Sequence, residues 1–115
     1  MKIARERRGE LVIMELEGEF DMISAPEFRS AWEEEMEGGA RYFLIDFGKV
    51  SYIDSSGVAA LIVLLKRARE RGGDVALCCF QPEVYEVVVT LVRLDKIFRI
   101  FPTREEASSF LPPGS

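Results

Sequence analysis

Apolar and polar residues alternate along Leu11 to Gly18, so that Val12, Met14 and Leu16 fall on one face of a strand and Glu15 and Glu17 on the other. The preceding segment, Lys2 to Arg8, joins it through Gly9-Glu10, where glycine supplies the positive φ of a tight turn. Together they predict a hairpin whose second strand is covered mainly on one face and lies near a sheet edge. From Ser24 the period changes. Ser24-Ala25-Pro26-Glu27 has the form of a capping box with proline in the first turn, and Phe28, Ala31, Trp32 and Met36 follow helical spacing until Gly38-Gly39. Tyr42-Phe43-Leu44-Ile45 with Phe47 is a continuous apolar run, too short for a helix, and predicts a central strand covered on both faces.

After Gly48 the chain reads Lys49-Val50-Ser51-Tyr52-Ile53-Asp54-Ser55-Ser56-Gly57, and a second helix is expected from about Ser56 to Arg71, stopped by Gly72-Gly73. Val58 to Leu65 is apolar all round, more than one core stripe requires. Val58, Leu61, Ile62 and Leu65 are expected to face the core, leaving Ala60, Val63 and Leu64 for another helix or a partner protein to cover. Lys66, Arg67, Arg69 and Arg71 suit the negative end of the helix dipole and read as a solvated face.

Val75 to Phe80 predicts a further buried strand. Pro82-Glu83 opens a third helix carrying Val84, Val87, Val88 and Leu91, although the β-branched run Val87-Val88-Val89 favours a strand by propensity. Ile97 to Phe101 reads as a short last strand. Thr103-Arg104-Glu105-Glu106 is a second capping box, leading a terminal helix to Leu111. Residues 1–111 are expected to form a single domain and residues 112–115 a flexible C-terminal tail. The order is an N-terminal β-hairpin followed by βα units, which predicts a small α/β fold with a mostly parallel sheet and about four helices.

Composition narrows the chemistry. A chain of 115 residues, 48% hydrophobic, buries roughly 65% of its unfolded surface and needs no metal or disulfide to hold a core. Its 20 acidic and 15 basic residues give a net charge of −5, which opposes broad attraction to nucleic acid or anionic membranes. No histidine is present, so no Ser-His-Asp or Cys-His pair can form. Cys78 and Cys79 adjoin within an apolar run; on a strand they point to opposite faces, and two sulfurs alone make no zinc site. They read as buried free thiols, which favours a reducing, cytoplasmic setting. Neither a signal-peptide stretch in residues 1–20 nor a membrane-length apolar run is found, so a soluble protein is expected.

Sites in open α/β sheets gather at the carboxyl ends of strands, where two polar clusters fall: Gly18-Glu19-Phe20-Asp21 and Asp54-Ser55-Ser56-Gly57. Such side chains ordinarily cap helices and turns. A hydroxyl beside a helix N-terminus also lies next to unpaired N–H groups, where a phosphate is tolerated. With Asp54 and Asp21 nearby, a phosphate roughly 5 Å from a carboxylate feels about 3 kcal/mol of repulsion per unit charge, roughly a hundredfold in affinity for any interface on that surface.

The stretch Val50 to Val58, between an apolar strand and an apolar helix, resembles the signature of STAS-domain anti-sigma factor antagonists. Gly18-Glu19-Phe20-Asp21 with Ala25 and Phe28-Arg29 resembles that family's earlier motif. The likeness spans about residues 3–111 and departs at Val58-Ala59, where many relatives carry Leu-Gly. It implies a bacterial, non-enzymatic partner switch without a cofactor of its own. The unphosphorylated domain binds an anti-sigma factor that is also a serine kinase, which frees a sigma factor for transcription; phosphorylation releases the domain and a serine phosphatase resets it. By position the acceptor is Ser56, with Ser55 as a helix cap and Asp21, Asp54, Ser55, Ser56 and Gly57 on the partner surface. Two rival readings are an accessory STAS subunit of a membrane transport complex or signalling scaffold, and a small nucleotide-binding protein or hydrolase. The second lacks a Walker loop, a Gly-x-Gly-x-x-Gly run and histidine.

Overall fold

The hairpin forms where the alternation placed it: β1 (Lys2–Arg8) pairs antiparallel with β2 (Leu11–Phe20), Arg8 lies opposite Leu11, and Gly9 turns the chain at φ 63°. The remaining elements are α1 (Ala25–Glu37), β3 (Tyr42–Ile53), α2 (Ser55–Glu70), β4 (Asp74–Cys78), α3 (Pro82–Thr90), a single 3₁₀ turn at Leu94–Lys96, β5 (Arg99–Phe101) and α4 (Arg104–Phe110). This computed structural model describes residues 1–112, so the expected tail lies outside the described residues beyond Pro112. The sheet order is β1-β2-β3-β4-β5, antiparallel in the first pair and parallel thereafter. The strand order advances one place at each βα unit, so a constant crossover hand brings α1, α2 and α3 to one face. β1, at the edge, is tied to α1 by Arg5 and Arg7, which reach Glu35 at 3.2 and 3.0 Å.

The main core lies on that face. Trp32, Phe28 and Met36 of α1 and Leu61, Leu64 and Leu65 of α2 pack on Val12, Met14, Leu16, Phe43 and Ile45. α4 covers the opposite face, where Ala107 and Leu111 meet Leu11, Ile13, Leu44, Ala76 and Cys78. The first half of β2 is therefore buried on both faces, not mainly on one as the sequence suggested, because α4 returns across it.

Three further expectations are corrected. β3 runs past Phe47 to Ile53, and its pairing with β2 slips between Glu15 and Glu17 and again between Gly18 and Glu19. Each bulge inserts an unpaired residue that breaks the strict alternation, so Gly48-Lys49 and Ser51-Tyr52 are exposed while Val50 and Ile53 remain buried. In α2 it is Leu64 that enters the core, while Ile62 and Val63 stay outside. In α3 only Val84 and Val88 are buried, since the helix docks by one narrow edge; Val87 and Leu91 face outward. The cysteines also differ from expectation. β4 ends at Cys78, and Cys79 adopts φ 67°, a left-handed turn that cancels strand alternation and brings both sulfurs to the side of Asp46.

Packing fixes one glycine absolutely. A Cβ on Gly73 would lie 1.7 Å from the Arg41 carbonyl oxygen, so the α2–β4 corner closes only without a side chain.

One partly buried ion cluster ties α4 to the sheet. Asp46 is 6% exposed; its Oδ2 accepts from Arg104 at 2.7 and 3.1 Å and its Oδ1 from the Gly48 N–H at 2.8 Å, while Arg104 also reaches Glu15 at 3.1 Å. Removing the cation strands a desolvated carboxylate. Arg104→Met is expected to cost about 2–3 kcal/mol in urea unfolding, and Asp46→Asn on top of it to recover part of that loss.

Candidate functional site

The strand-to-helix corner after β3 is built by Asp54. Its backbone is extended, φ −116° and ψ −173°, and its Oδ1 accepts from the N–H groups of Ser56 at 2.9 Å and Gly57 at 3.2 Å. The Val58 N–H donates to the Asp54 carbonyl at 3.1 Å, and the Asp54 N–H donates to the Phe20 carbonyl at 3.2 Å. Asp54, not Ser55, is thus the cap, because only the residue at the corner has the extended backbone that turns its side chain onto the helix end. Ser55 begins α2 and is exposed. The N–H groups of Ser56, Gly57 and Val58 are all taken, so the helix end does not stand open as an anion cradle beside Ser56. Ser56 itself is half-buried at the head of α2.

Gly57 explains how this turn sits so close to the sheet. A Cβ there would approach the Phe20 carbonyl oxygen to 2.6 Å and Ile53 Cγ1 to 2.9 Å. Neither the strand backbone nor the packed Ile53 can yield cheaply, so glycine lets α2 start directly on the end of β2.

The second acidic residue arrives from the neighbouring strand. Phe20 pairs with Ile53 in the parallel register, so Asp21 and Asp54 leave adjacent strands at the same end. Asp21 Oδ1 accepts from the N–H groups of Ile23 at 3.0 Å and Ser24 at 3.1 Å, with the Ser24 hydroxyl oxygen 3.3 Å away. The Ser24 backbone bond leads the interactions that hold its carboxyl below the ordinary 3.8. Asp21 therefore takes the capping role that the sequence suggested for Ser24. Ser24 already has helical backbone, φ −87° and ψ −19°, and cannot cap α1. Its buried hydroxyl instead donates to the Glu19 carbonyl at 2.8 Å and accepts from the Asp21 N–H at 2.9 Å, pinning the turn.

Ser56 borders an apolar groove of about 430 Å³ between α1 and α2. Met22, Ala25 and Trp32 line one side; Ala59, Ala60 and Val63 continue the other. Met22 and Ile23, in the turn after Asp21, are 72% and 79% exposed. The Trp32 ring lies within 5.9 Å of the Arg29 guanidinium and 5.5 Å of that of Arg67, and its Nε1 is buried without a hydrogen-bond partner. The structure thus brings Asp21, Asp54, Ser55, Ser56 and Gly57 to one end of the sheet, as the sequence expected. The groove residues Met22, Arg29 and Trp32, and the exposed Ile23 beside Met22, were missed as site residues. The signal available for Met22-Ile23 was an apolar pair placed in a polar turn, where burial is not possible. No described helix is long and apolar enough to cross a membrane.

A family model described as the STAS domain matches residues 2–107. The chain belongs to the STAS domain family. BtrV of Bordetella bronchiseptica, named as a candidate anti-sigma factor antagonist, is 27% identical over 109 residues, covering 95% of this chain and 93% of that protein. The crystal structure of a protein from Thermotoga maritima, titled in the same terms, superposes with a TM-score of 0.85 at 25% identity, covering 95% of this chain and 93% of its own. The anti-sigma factor antagonist SpoIIAA in its unphosphorylated form superposes at 0.80 with 22% identity, covering 95% of each chain, and shares the STAS fold: a small five-stranded mixed sheet with four helices.

Two measurements probe the corner. Gly57→Ala is expected to lose about 2 kcal/mol of stability in urea, because the new methyl must push α2 off Phe20. Asp21 gives a pH signature. A carboxyl held below its unfolded value adds stability that is present above about pH 4 and lost as the pH falls through the lowered value. Asp21→Asn, which still caps the turn, is expected to flatten the acid limb of stability below pH 4; an unchanged limb would contradict this account.

Proposed function

We propose that this domain is an anti-sigma factor antagonist whose binding surface is switched by phosphorylation of Ser56. In the unphosphorylated state Ser55, Ser56 and the groove between α1 and α2, with Met22 and Ile23 beside it, dock an anti-sigma factor that is also a serine kinase, freeing a sigma factor for transcription. The single observation carrying this reading is the position of Ser56: a half-buried hydroxyl on the rim of an apolar groove, at a helix end where Asp54 occupies the Ser56 and Gly57 N–H groups. The relatives named above as anti-sigma factor antagonists support the role.

The switch follows from electrostatics. The kinase binds ATP and supplies the catalytic groups; the γ-phosphoryl group moves to the Ser56 oxygen as its bond to the β-phosphate breaks, ADP leaves, and the hydroxyl proton passes to the kinase. About −1.5 to −2 charges then appear on a surface already bearing the Asp54 and Asp21 carboxylates. With the Ser56, Gly57 and Val58 N–H groups already engaged, the helix end offers the phosphate little compensation, and its charge falls on the docking surface. A serine phosphatase restores the hydroxyl. The domain contributes a shape and one acceptor oxygen and performs no catalysis.

The test is a phosphorylation and binding assay with the anti-sigma factor kinase and ATP. Wild type is expected to take up one phosphate and then bind the kinase roughly a hundredfold more weakly. Ser56→Ala should bind without taking up phosphate, and Met22→Asp should weaken binding with the fold intact. Full phosphorylation of Ser56→Ala would move the acceptor elsewhere.

A further inference from the structure

The sheet face opposite the groove carries a cluster of two thiols and a carboxylate that the proposed partner switch does not use. Cys78 ends β4, fully buried against α4, and Cys79 follows at φ 67°. In a continuing strand the two side chains would diverge. The left-handed turn instead gathers the two sulfurs and an Asp46 oxygen within 4.8 Å of one another. Cys79 is partly exposed, so the pair has one open and one covered member.

Three kinds of chemistry could use two neighbouring thiols, and the surroundings separate them. A divalent metal ion would bring two positive charges beside the Arg104 guanidinium, which already occupies Asp46 at 2.7 Å, and would require both thiols to lose their protons. Burial pushes both thiols up from their ordinary value, which opposes the thiolate and so opposes metal binding and peroxide oxidation alike. A reagent that joins both sulfurs covalently is slowed by the same shift, but its neutral product leaves no buried thiolate and no added charge beside Arg104. The Arg104–Asp46 pair then stays intact while the bridge forms beside it.

We propose that Cys78 and Cys79 form a dithiol site for trivalent arsenicals and chemically similar neutral, dithiol-selective electrophiles. With phenylarsonous acid, the hydrated form of phenylarsine oxide, two S–H and two As–O bonds break, two As–S bonds form and two waters leave. Arsenic remains trivalent. Cys79 reacts first because it is reachable from solvent, and Cys78 closes the ring as the end of β4 shifts against α4. A bridging atom holds two sulfurs farther apart than a disulfide does, where they are bonded at roughly 2.05 Å, so less movement is required of the chain.

The probe is phenylarsine oxide added to the folded protein, read by intact mass and thermal unfolding. One phenylarsenic group per chain is expected, stable to excess monothiol and removed by a dithiol, with a rise in melting temperature because the ligand binds the native state. Cys79→Ser and Cys78→Ala should each lose the monothiol-resistant adduct. Should Cys78→Ala not fold, alkylation with iodoacetamide in urea gives the same information: two labels on untreated wild type and none on the arsenical-treated protein. Absence of the adduct, its persistence in Cys79→Ser, or a fall in melting temperature would overturn the assignment, as would a melting rise with zinc equal to that with the arsenical. Kinase binding by Cys79→Ser is expected to match wild type, so this outcome and that of the Ser56 switch are read separately.

Discussion

The first turn of α2 rests on the carbonyl of Phe20, and every feature of the candidate site depends on that contact. Gly57 permits the approach, the Asp54 N–H bonds the same carbonyl from the strand end, and the Asp54 carboxylate then closes the helix end. A helix lifted by one methyl would carry Ser56 away from the groove and from the turn that holds Asp21. The site is therefore set by backbone proximity, and its charged groups act from a frame that is fixed beforehand.

The sheet divides the molecule into two chemically distinct faces. On one, α1, α2 and α3 enclose the larger core and leave an apolar groove beside Ser56. On the other, the single helix α4 covers a smaller core and is anchored by Arg104 to Asp46 and Glu15. The thiol pair lies on this second face. Chemistry there is separated from the groove by the thickness of the sheet, and the Asp46–Arg104 pair gives it a polar, internally neutral border. The edge strand β1 adds little apolar burial and is held by arginines on Glu35, a charged edge that also discourages further strand pairing.

Asp21 and Ser24 show how much of the turn chemistry was legible. The residue types were right: an acid and a hydroxyl at a strand-to-helix transition. The cap moved from Ser24 to Asp21, since the helical turn begins earlier than proline at position 26 suggested, and the earlier residue then meets the free N–H groups. Ser55 and Asp54 repeat the pattern. In both cases the side chain nearest the strand end caps, and at Asp54 the extended backbone aims it onto the helix end.

Period and punctuation in the sequence determined the element order, the hairpin, the mostly parallel sheet and the meeting of Asp21 with the Asp54-Ser55-Ser56-Gly57 run, because spacing, glycine and proline act locally. Tertiary structure alone decided how far β3 extends, whether Ile62 or Leu64 enters the core, which apolar residues remain as a groove, and that Cys79 turns to the side of Cys78. Those outcomes depend on bulges, helix rotation and a left-handed residue, each selected by packing against segments distant in the chain, and a local pattern carries no record of such neighbours.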